Sequence, residues 1–335
     1  MKKQIFLITT VLFILLILVH AITPIVVSAA PDLSQSMIST SLAVTTLDEV
    51  EPRTPISSLP FVITEPGSYY LTSNLTLEAT DQNGIEVEAN DVTLDLMGFG
   101  LFGAGGIEGI SIEGKSNVVI RNGTISYLDG DGIYEKGGTG HRIEGVRLEW
   151  NGGSGIFLGG IAHTVIDCIA TLNGGYGIAA ADSCTLDRNT SYSNYLGIYA
   201  GTGCTVTNNN LQYNWVAGIQ VDSGCNVACN TSCNNQWPDF LPPPTDYDVS
   251  VGLIVDGLCN MVKDNTLRSN TETNILIYGS RNAIENNLVT NAQNGIYFME
   301  DGNFYANNRA SQNTTDYRNA PSSSGPGDGG GNAAF

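Results

Sequence analysis

A dipeptide of Gly followed by Ile or Leu returns along the chain at nearly regular intervals. Asn274-Ile275 takes the place of the dipeptide once, and with it consecutive units lie 20 to 25 residues apart, except for one interval of 34 residues between Gly218 and Gly252. A period of this length is typical of solenoid proteins, in which every repeat forms one coil. The residues between the dipeptides follow no helical period, and they form short alternating apolar and polar runs separated by Gly, Asn, Ser and Asp. This pattern predicts three short strands and three turns in every repeat.

Three short strands per coil, stacked coil on coil, make an all-β solenoid of the parallel β-helix type. Each strand pairs with its equivalents in the adjoining coils at a spacing of about 4.8 Å. We predict about nine or ten coils, starting near residue 83 and ending near residue 317. The residue after each Gly should point inward, so that one buried column contains Ile110, Ile133, Ile156, Ile178, Ile198, Ile219, Leu253, Ile275 and Ile296.

Asn recurs at two positions of the repeat where turns are predicted. Stacked Asn side chains can hydrogen-bond along the axis, and Asn tolerates the left-handed backbone of sharp turns. We therefore predict that these residues are structural. One column is expected to contain Asn122, Asn189, Asn209, Asn230, Asn265, Asn286 and Asn307. The other is expected to contain Asn151, Asn173, Asn194, Asn214, Asn234, Asn270 and Asn291.

The units SNVVIRNGTIS (116–126), GCTVTNNNLQ (203–212) and SRNAIENNLV (280–289) resemble the repeats of right-handed parallel β-helix proteins. Those belong to the pectate-lyase-like superfamily, including its carbohydrate-binding and sugar-hydrolase repeat proteins. The lead-in EPRTPISSLPFVITEPGSYYLTSNLTL also resembles the N-terminal segment of exported bacterial proteins of this type. The resemblance implies a right-handed solenoid. It implies no single activity, because this scaffold carries lyases, hydrolases, epimerases and non-catalytic binding proteins.

The N-terminus has the features of an export signal. Lys2 and Lys3 precede a long apolar run, and small residues lead to Ala29, as expected for a cleaved signal peptide. An uncleaved membrane anchor is the alternative, and it would be the only contact with a membrane. Both place the rest of the chain in the periplasm, at the cell surface or in the medium. We predict a signal peptide at 1–29, a linker at 30–59, an N-terminal cap at 60–82, the β-helix at 83–317 and a disordered tail at 318–335.

The charge of the chain excludes one class of partner. There are 33 acidic and 14 basic residues, which gives a formal net charge of −19. Nucleic-acid binding needs Lys and Arg to displace counterions from phosphates. We therefore expect no nucleic-acid partner.

Cysteines and histidines fall at related places in the repeat. Cys184, Cys204, Cys225 and Cys259 each follow the Gly of their repeat by seven residues, so they are predicted to stack in one column. Neighbouring coils would bring them within disulfide range, and an exported protein could oxidise them. The alternative is that they are small buried residues that fill a narrow core. His141 and His163, in adjacent coils, are predicted to be structural.

The candidate site lies on the outward face of the first strand of each coil. Side chains alternate between the two faces of a strand, so Tyr199, Asp222, Asp256 and Tyr278 should all point outward. The two Asp fall at equivalent positions of adjacent coils, and exposed aromatic rings are a surface on which sugar rings can stack. The alternative is that these acids are only solvated surface.

The long interval between Gly218 and Gly252 predicts an insertion beside the two Asp. Residues 236–251 contain a Pro run that resists regular structure, so the segment should leave the coil as a loop. It brings Trp237, Asp246 and Asp248 towards the first-strand face. A loop beside two aligned acids is the best candidate for a cleft.

Two kinds of chemistry fit Asp222 and Asp256. A hydrolase needs two carboxylates about 5–5.5 Å or 6.5–9.5 Å apart, which makes both residues catalytic candidates. Alternatively, repulsion between them would be relieved by calcium, a cation that accepts 6–8 oxygen ligands. Asp222 and Asp256 are then the metal-binding candidates. The ligand-binding candidates are Tyr199, Trp237, Asp246, Asp248 and Tyr278.

Three functions remain open on the sequence alone. The chain could be a polysaccharide lyase or hydrolase, a module that binds polysaccharide or cell-surface glycan, or a non-catalytic structural or adhesion module. The outward aromatic residues favour association with extracellular carbohydrate.

Overall fold

The protein is an all-β solenoid without helices in the part described here. A computed structural model describes residues 53–242, 249–321 and 327–334. Its strands form two parallel sheets, and each strand pairs with its counterparts in the preceding and following coils. Within these ranges no helix is long and apolar enough to cross a membrane. The all-β prediction is confirmed.

Sheet 1 contains the first strand of every coil. Its strands are β2 (Phe61–Ile63), β5 (Ile85–Val87), β8 (Ile110–Ser111), β10 (Ile133–Glu135), β12 (Ile156–Leu158), β15 (Tyr176–Ala180), β18 (Leu196–Ala200), β21 (Ala217–Val221), β24 (Val251–Val255), β27 (Thr273–Ile277), β30 (Asn294–Phe298) and β33 (Thr315–Arg318).

Sheet 2 contains the second and third strands of the coils. Its strands are β1 (Thr54–Ile56), β3 (Gly67–Leu71), β4 (Leu75–Leu77), β6 (Val92–Asp95), β7 (Gly100–Gly103), β9 (Val119–Ser126), β11 (Arg142–Glu149), β13 (Thr164–Ile166), β14 (Ile169–Thr171), β16 (Thr185–Asp187), β17 (Thr190–Tyr192), β19 (Thr205–Thr207), β20 (Asn210–Gln212), β22 (Asn226–Ala228), β23 (Thr231–Cys233), β25 (Met261–Lys263), β26 (Thr266–Arg268), β28 (Ala283–Glu285), β29 (Leu288–Thr290), β31 (Phe304–Ala306), β32 (Arg309–Ser311) and β34 (Ala333–Ala334).

The solenoid is longer than predicted. Sheet 1 has 12 strands in the described residues, which mark about twelve coils where nine or ten were expected. Phe61 pairs with Ile85, so the predicted cap at 60–82 carries coil strands although it lacks the Gly-Ile signal. β1 lies in the predicted linker and pairs with β3. β34 lies in the predicted disordered tail and pairs with β32.

The predicted interior column is confirmed. The nine residues of this column, of which Ile275 follows Asn274 and the others follow Gly, are each at most 1% exposed, and the strand register places each opposite the next. Burying a side chain of this size contributes roughly 1.5–3 kcal/mol. The repeat length therefore gives a cross-section that one layer of side chains fills.

Two Asn columns run through the interior and saturate their hydrogen bonds. The backbone N–H and the Nδ2 of Asn209 both donate to Oδ1 of Asn230, at 2.9 and 3.0 Å. The same Nδ2 also donates to the carbonyl of Leu186 in the preceding coil, at 2.9 Å. Buried amides are stable only when paired in this way. The columns contain Asn189, Asn209, Asn230, Asn265, Asn287 and Asn308, and Asn151, Asn173, Asn194, Asn214, Asn235 and Asn270.

The predicted columns were wrong by one residue at several turns. Asn234, Asn286 and Asn307 have left-handed φ values of 55°, 56° and 56°, so each forms the corner and the following Asn points inward. Asn122 and Asn291 also adopt left-handed conformations, with φ values of 59° and 57°. The sequence indicates the Asn-rich turn but does not distinguish the corner residue from the inward one.

A third interior column changes residue type along the solenoid. Its side chains accept the backbone N–H of the preceding coil: Nδ1 of His141 from Val118 at 3.1 Å, Nδ1 of His163 from His141 at 3.2 Å and Sγ of Cys184 from His163 at 3.3 Å. Further along, Oδ1 of Asn260 accepts from Cys225 at 2.7 Å. The two imidazoles stack with centroids 4.9 Å apart. Histidine, cysteine and asparagine therefore share one structural role in this column, which is to accept a backbone hydrogen bond from the preceding coil. A structural role is what the sequence predicted for the two histidines.

The cysteine prediction is correct for three of its four members. Cys184, Cys204 and Cys225 are buried, and all seven cysteines are free thiols. Cys259 is exposed with a φ of 60°, because Asn260 takes the inward position of that coil. The structure thus favours the small buried residue over the disulfide.

Candidate functional site

The outward face of sheet 1 carries the predicted site residues in the predicted register. Tyr199 lies opposite Gln220, and Val221 lies opposite Val255. Asp222 and Asp256 follow these last two residues directly, so they occupy equivalent positions of adjacent coils, with strands about 4.8 Å apart. Tyr278 takes the same position in the next coil, where its N–H donates to Val255 at 2.9 Å.

Each carboxylate of the pair is held by one neighbouring side chain. The Tyr199 hydroxyl donates to Oδ2 of Asp222 at 2.8 Å, and Nε2 of Gln220 donates to Oδ2 of Asp256 at 2.6 Å. Both donors come from the outward column of sheet 1. The sequence predicted Tyr199 as a sugar-stacking ring but missed Gln220 as the partner of Asp256.

The surroundings of the pair shift the pKa values of Asp256 and Tyr199. Burial raises the pKa of Asp256, and the negative charge of Asp222 raises it further against the bond from Gln220. Burial also raises the pKa of Tyr199, and so does its donation to Asp222, because the bond favours the protonated phenol. Asp256 therefore binds a proton more readily than an exposed Asp.

The flanks of the insertion pack against the same face. Trp237 and Val249 belong to an apolar cluster that includes the outward residues Ile254 and Leu276, which are only 5% and 1% exposed. The N–H of Trp237 donates to Oγ of Ser250 at 2.9 Å, which ties the two flanks together. The insertion is thus anchored at the start of β24, whereas Asp222 and Asp256 follow the ends of β21 and β24.

Aromatic rings cluster where the strands of sheet 1 begin. Tyr195, Trp215 and Trp237 meet edge to face, with centroids 6.1 to 6.5 Å apart. Tyr199 and Tyr176 lie 5.9 Å apart. The sequence analysis missed Tyr195 and Trp215, although each follows an interior Asn of the repeat directly.

The predicted cation site is only partly within the described residues. Asp246 and Asp248 fall in 243–248, outside the described ranges. In the ranges that are described, no cluster of three or more His, Cys, Asp or Glu is arranged to hold a metal ion. Asp222 and Asp256 would supply two carboxylates, and the calcium site stays a prediction.

A second carboxylate pair lies nearer the N-terminal end of sheet 1 and was not predicted. Glu108 and Asp131 each precede the Gly of a repeat, and the N–H of Asp131 donates to the Glu108 carboxylate. The N–H of Ser154 donates in turn to Asp131. Burial, followed by the charge of Asp131, raises the pKa of Glu108 to about 7. The only signal in the sequence was the acid before Gly in two successive repeats.

The sequence matches a family of repeat folds. The right-handed beta helix region family matches residues 106–236. No curated protein matches the sequence. Solved structures match more widely, and they show the fold.

Two similar structures illustrate the extent of the match. The A-module of the mannuronan C-5 epimerase AlgE4 of Azotobacter vinelandii superimposes with a TM-score of 0.64 at 13% identity, covering 82% of this chain and 89% of the module. The catalytic domain of a GH87 α-1,3-glucanase in complex with nigerose superimposes with a TM-score of 0.57 at 12% identity, covering 91% of this chain and 71% of the domain. The chain therefore has the fold of a right-handed parallel β-helix.

Proposed function

We propose that this chain is an exported protein that binds a polysaccharide or cell-surface glycan on the outward face of sheet 1. The binding surface, here called the glycan face, comprises Tyr199, Asp222, Trp237, Asp256 and Tyr278. One observation carries the proposal: two carboxylates in adjacent coils stand beside a cluster of partly buried aromatic rings. Carboxylates accept hydrogen bonds from sugar hydroxyls, and such charge-assisted bonds are the stronger kind.

The similar structures support this proposal. Both are named for action on polysaccharides. Export is supported by the basic residues, apolar run and small residues of the N-terminus.

Catalysis is a second candidate, and one observation favours it. The pKa of Asp256 is raised by burial and by the charge of Asp222, and a raised pKa is what a carboxyl group needs to act as a general acid. The corresponding activity would be hydrolysis of the glycan. A lyase would also need a base close to the bound sugar.

A single screen tests these functions. Purified protein is applied to a panel of immobilised polysaccharides, and retention and release of new reducing ends are measured together. Retention without release indicates a binding module, and release that is lost in Asp256→Asn indicates a hydrolase. Neither retention nor release from any polymer would contradict the proposal and favour a structural or adhesion module.

A further inference from the structure

Cationic side chains are missing from the stretch of chain that supplies every residue of the glycan face except Tyr278. Residues 189–262 contain no Lys, Arg or His, whereas they contain Asp222, Asp239, Asp246, Asp248 and Asp256. This stretch supplies β18, β21 and β24 of sheet 1 together with the whole insertion. Every charged side chain in this stretch is therefore negative.

The contacts of the two carboxylates strengthen this conclusion. Tyr199 and Gln220 hold Asp222 and Asp256 in place through neutral donors. Neutral donors leave the negative charge of a carboxylate uncompensated, unlike an ion pair. In contrast, Asp167 and Asp187 on sheet 2 are each paired with Arg188.

A bound sugar would meet these charges directly. A hydroxyl can donate to a carboxylate, but a uronate or sulfate group would bring a third negative charge within a few ångströms of two others. Like charges at this separation repel strongly wherever water is partly excluded. The aromatic rings impose no charge preference, because their contact with a sugar is with its C–H groups.

On the assumption that the glycan face binds carbohydrate, we propose that its ligand is an uncharged glycan. Hydroxyl groups of the sugar donate to Asp222 and Asp256, and the rings of Tyr199 and Trp237 pack against the sugar. Carboxylated or sulfated polymers are excluded by charge.

The test compares uncharged polymers with polymers that carry a uronate carboxylate on each sugar. Binding of mannan and of galactan is measured against mannuronan and polygalacturonate, each with added calcium and with a chelator. The wild type is expected to bind an uncharged polymer at least tenfold more tightly than its uronate counterpart in both conditions. Asp222→Asn and Asp256→Asn should narrow this preference by raising affinity for the uronate.

Asp264→Asn provides the matched control. Asp264 is exposed at a left-handed corner of sheet 2, with a φ of 57°, and the equivalent corners of other coils carry Asn208 and Asn286. This variant removes the same charge without touching the glycan face, so the preference should be unchanged.

The outcomes of this test separate the inference about ligand charge from the proposed binding of glycan. Equal or tighter binding of a uronate polymer overturns the inference, and a requirement for calcium would identify Asp222 and Asp256 as a cation site. Failure to bind any polymer overturns the proposed function itself. An equal effect of Asp264→Asn would show that net charge alone, and not this face, sets the preference.

Discussion

Sheet 1 carries two carboxylate pairs, each with its two members in adjacent coils. The pairs differ in the groups that donate hydrogen bonds to them. Glu108 and Asp131 accept backbone N–H groups of the following coil, so they belong to the ladder that joins the coils. Asp222 and Asp256 accept from the side chains of Tyr199 and Gln220. The first pair is therefore part of the scaffold, and the second is presented on its surface.

The difference shows that a shifted pKa does not by itself identify a site. The pKa of Glu108 rises to about 7, yet its carboxylate is engaged with the backbone. The pKa of Asp256 is also raised, but its fixed partner is an outward side chain. Structural networks perturb pKa values as functional sites do, so the kind of donor separates the two pairs.

The largest effect is expected on stability. Asp131→Ala removes the acceptor of the Ser154 N–H, and leaving a buried donor unpaired costs about 1–3 kcal/mol. Asp222→Ala should change the free energy of unfolding by less than about 0.5 kcal/mol, as for ordinary surface substitutions. Denaturant unfolding of both variants measures the contrast. Equal losses would mean that both pairs are structural.

A smaller effect is expected on the pH dependence of stability. Glu108 has a folded pKa of about 7 against an ordinary pKa of 4.5. The folded state therefore binds more protons between these values, and this contribution is present below pH 4.5 and is lost as the pH rises towards 7. We expect a loss on the order of 2 kcal/mol or less, because Glu108 is partly exposed. Glu108→Gln should remove it, which chemical denaturation at a series of pH values will show.

Protonation of the interior His141 should affect the pH dependence of stability in the opposite direction to Glu108. Burial, followed by the charge of His163, lowers the pKa of His141 from 6.5 to about 4. Stability from this group is present above pH 6.5 and is lost as the pH falls towards 4, because the unfolded state then binds more protons. His141→Asn copies the residue found at Asn260 in the same column, so it should fold and lose this acid sensitivity. An unchanged acid limb of the stability profile would contradict the assignment.

The smallest expected effect is the change in glycan affinity when the hydroxyl of Tyr199 is removed. Tyr199→Phe keeps the ring but removes the donor to Asp222, so glycan affinity should fall by roughly threefold to tenfold, the worth of one such hydrogen bond. Tyr134→Phe is the matched control, since Tyr134 stacks on Phe157 in the outward column near Glu108. It should leave affinity unchanged. Equal losses in the two variants would remove the distinction between the two ends of sheet 1.

The sequence predicted the features that repeat, and it missed those that occur once. Periodic Gly-Ile dipeptides predicted the inward Ile column and the outward positions of Asp222 and Asp256. Periodicity could not predict that Asn260, and not Cys259, takes the inward position of its coil, because the inward position and the left-handed corner are neighbouring residues. It also could not predict the bond from Gln220 to Asp256, which depends on side-chain conformations in two coils separated by the insertion.

Calorimetric titration with a glycan retained in the polysaccharide screen tests most directly whether the surface pair binds carbohydrate. The wild type is compared with Asp222→Asn/Asp256→Asn and with Glu108→Gln/Asp131→Asn, which remove the same number of carboxylates from the two ends of sheet 1. We predict that the first double variant loses at least tenfold in affinity and that the second binds as the wild type does. Undiminished binding by Asp222→Asn/Asp256→Asn, or an equal loss in Glu108→Gln/Asp131→Asn, would contradict the assignment of the glycan face.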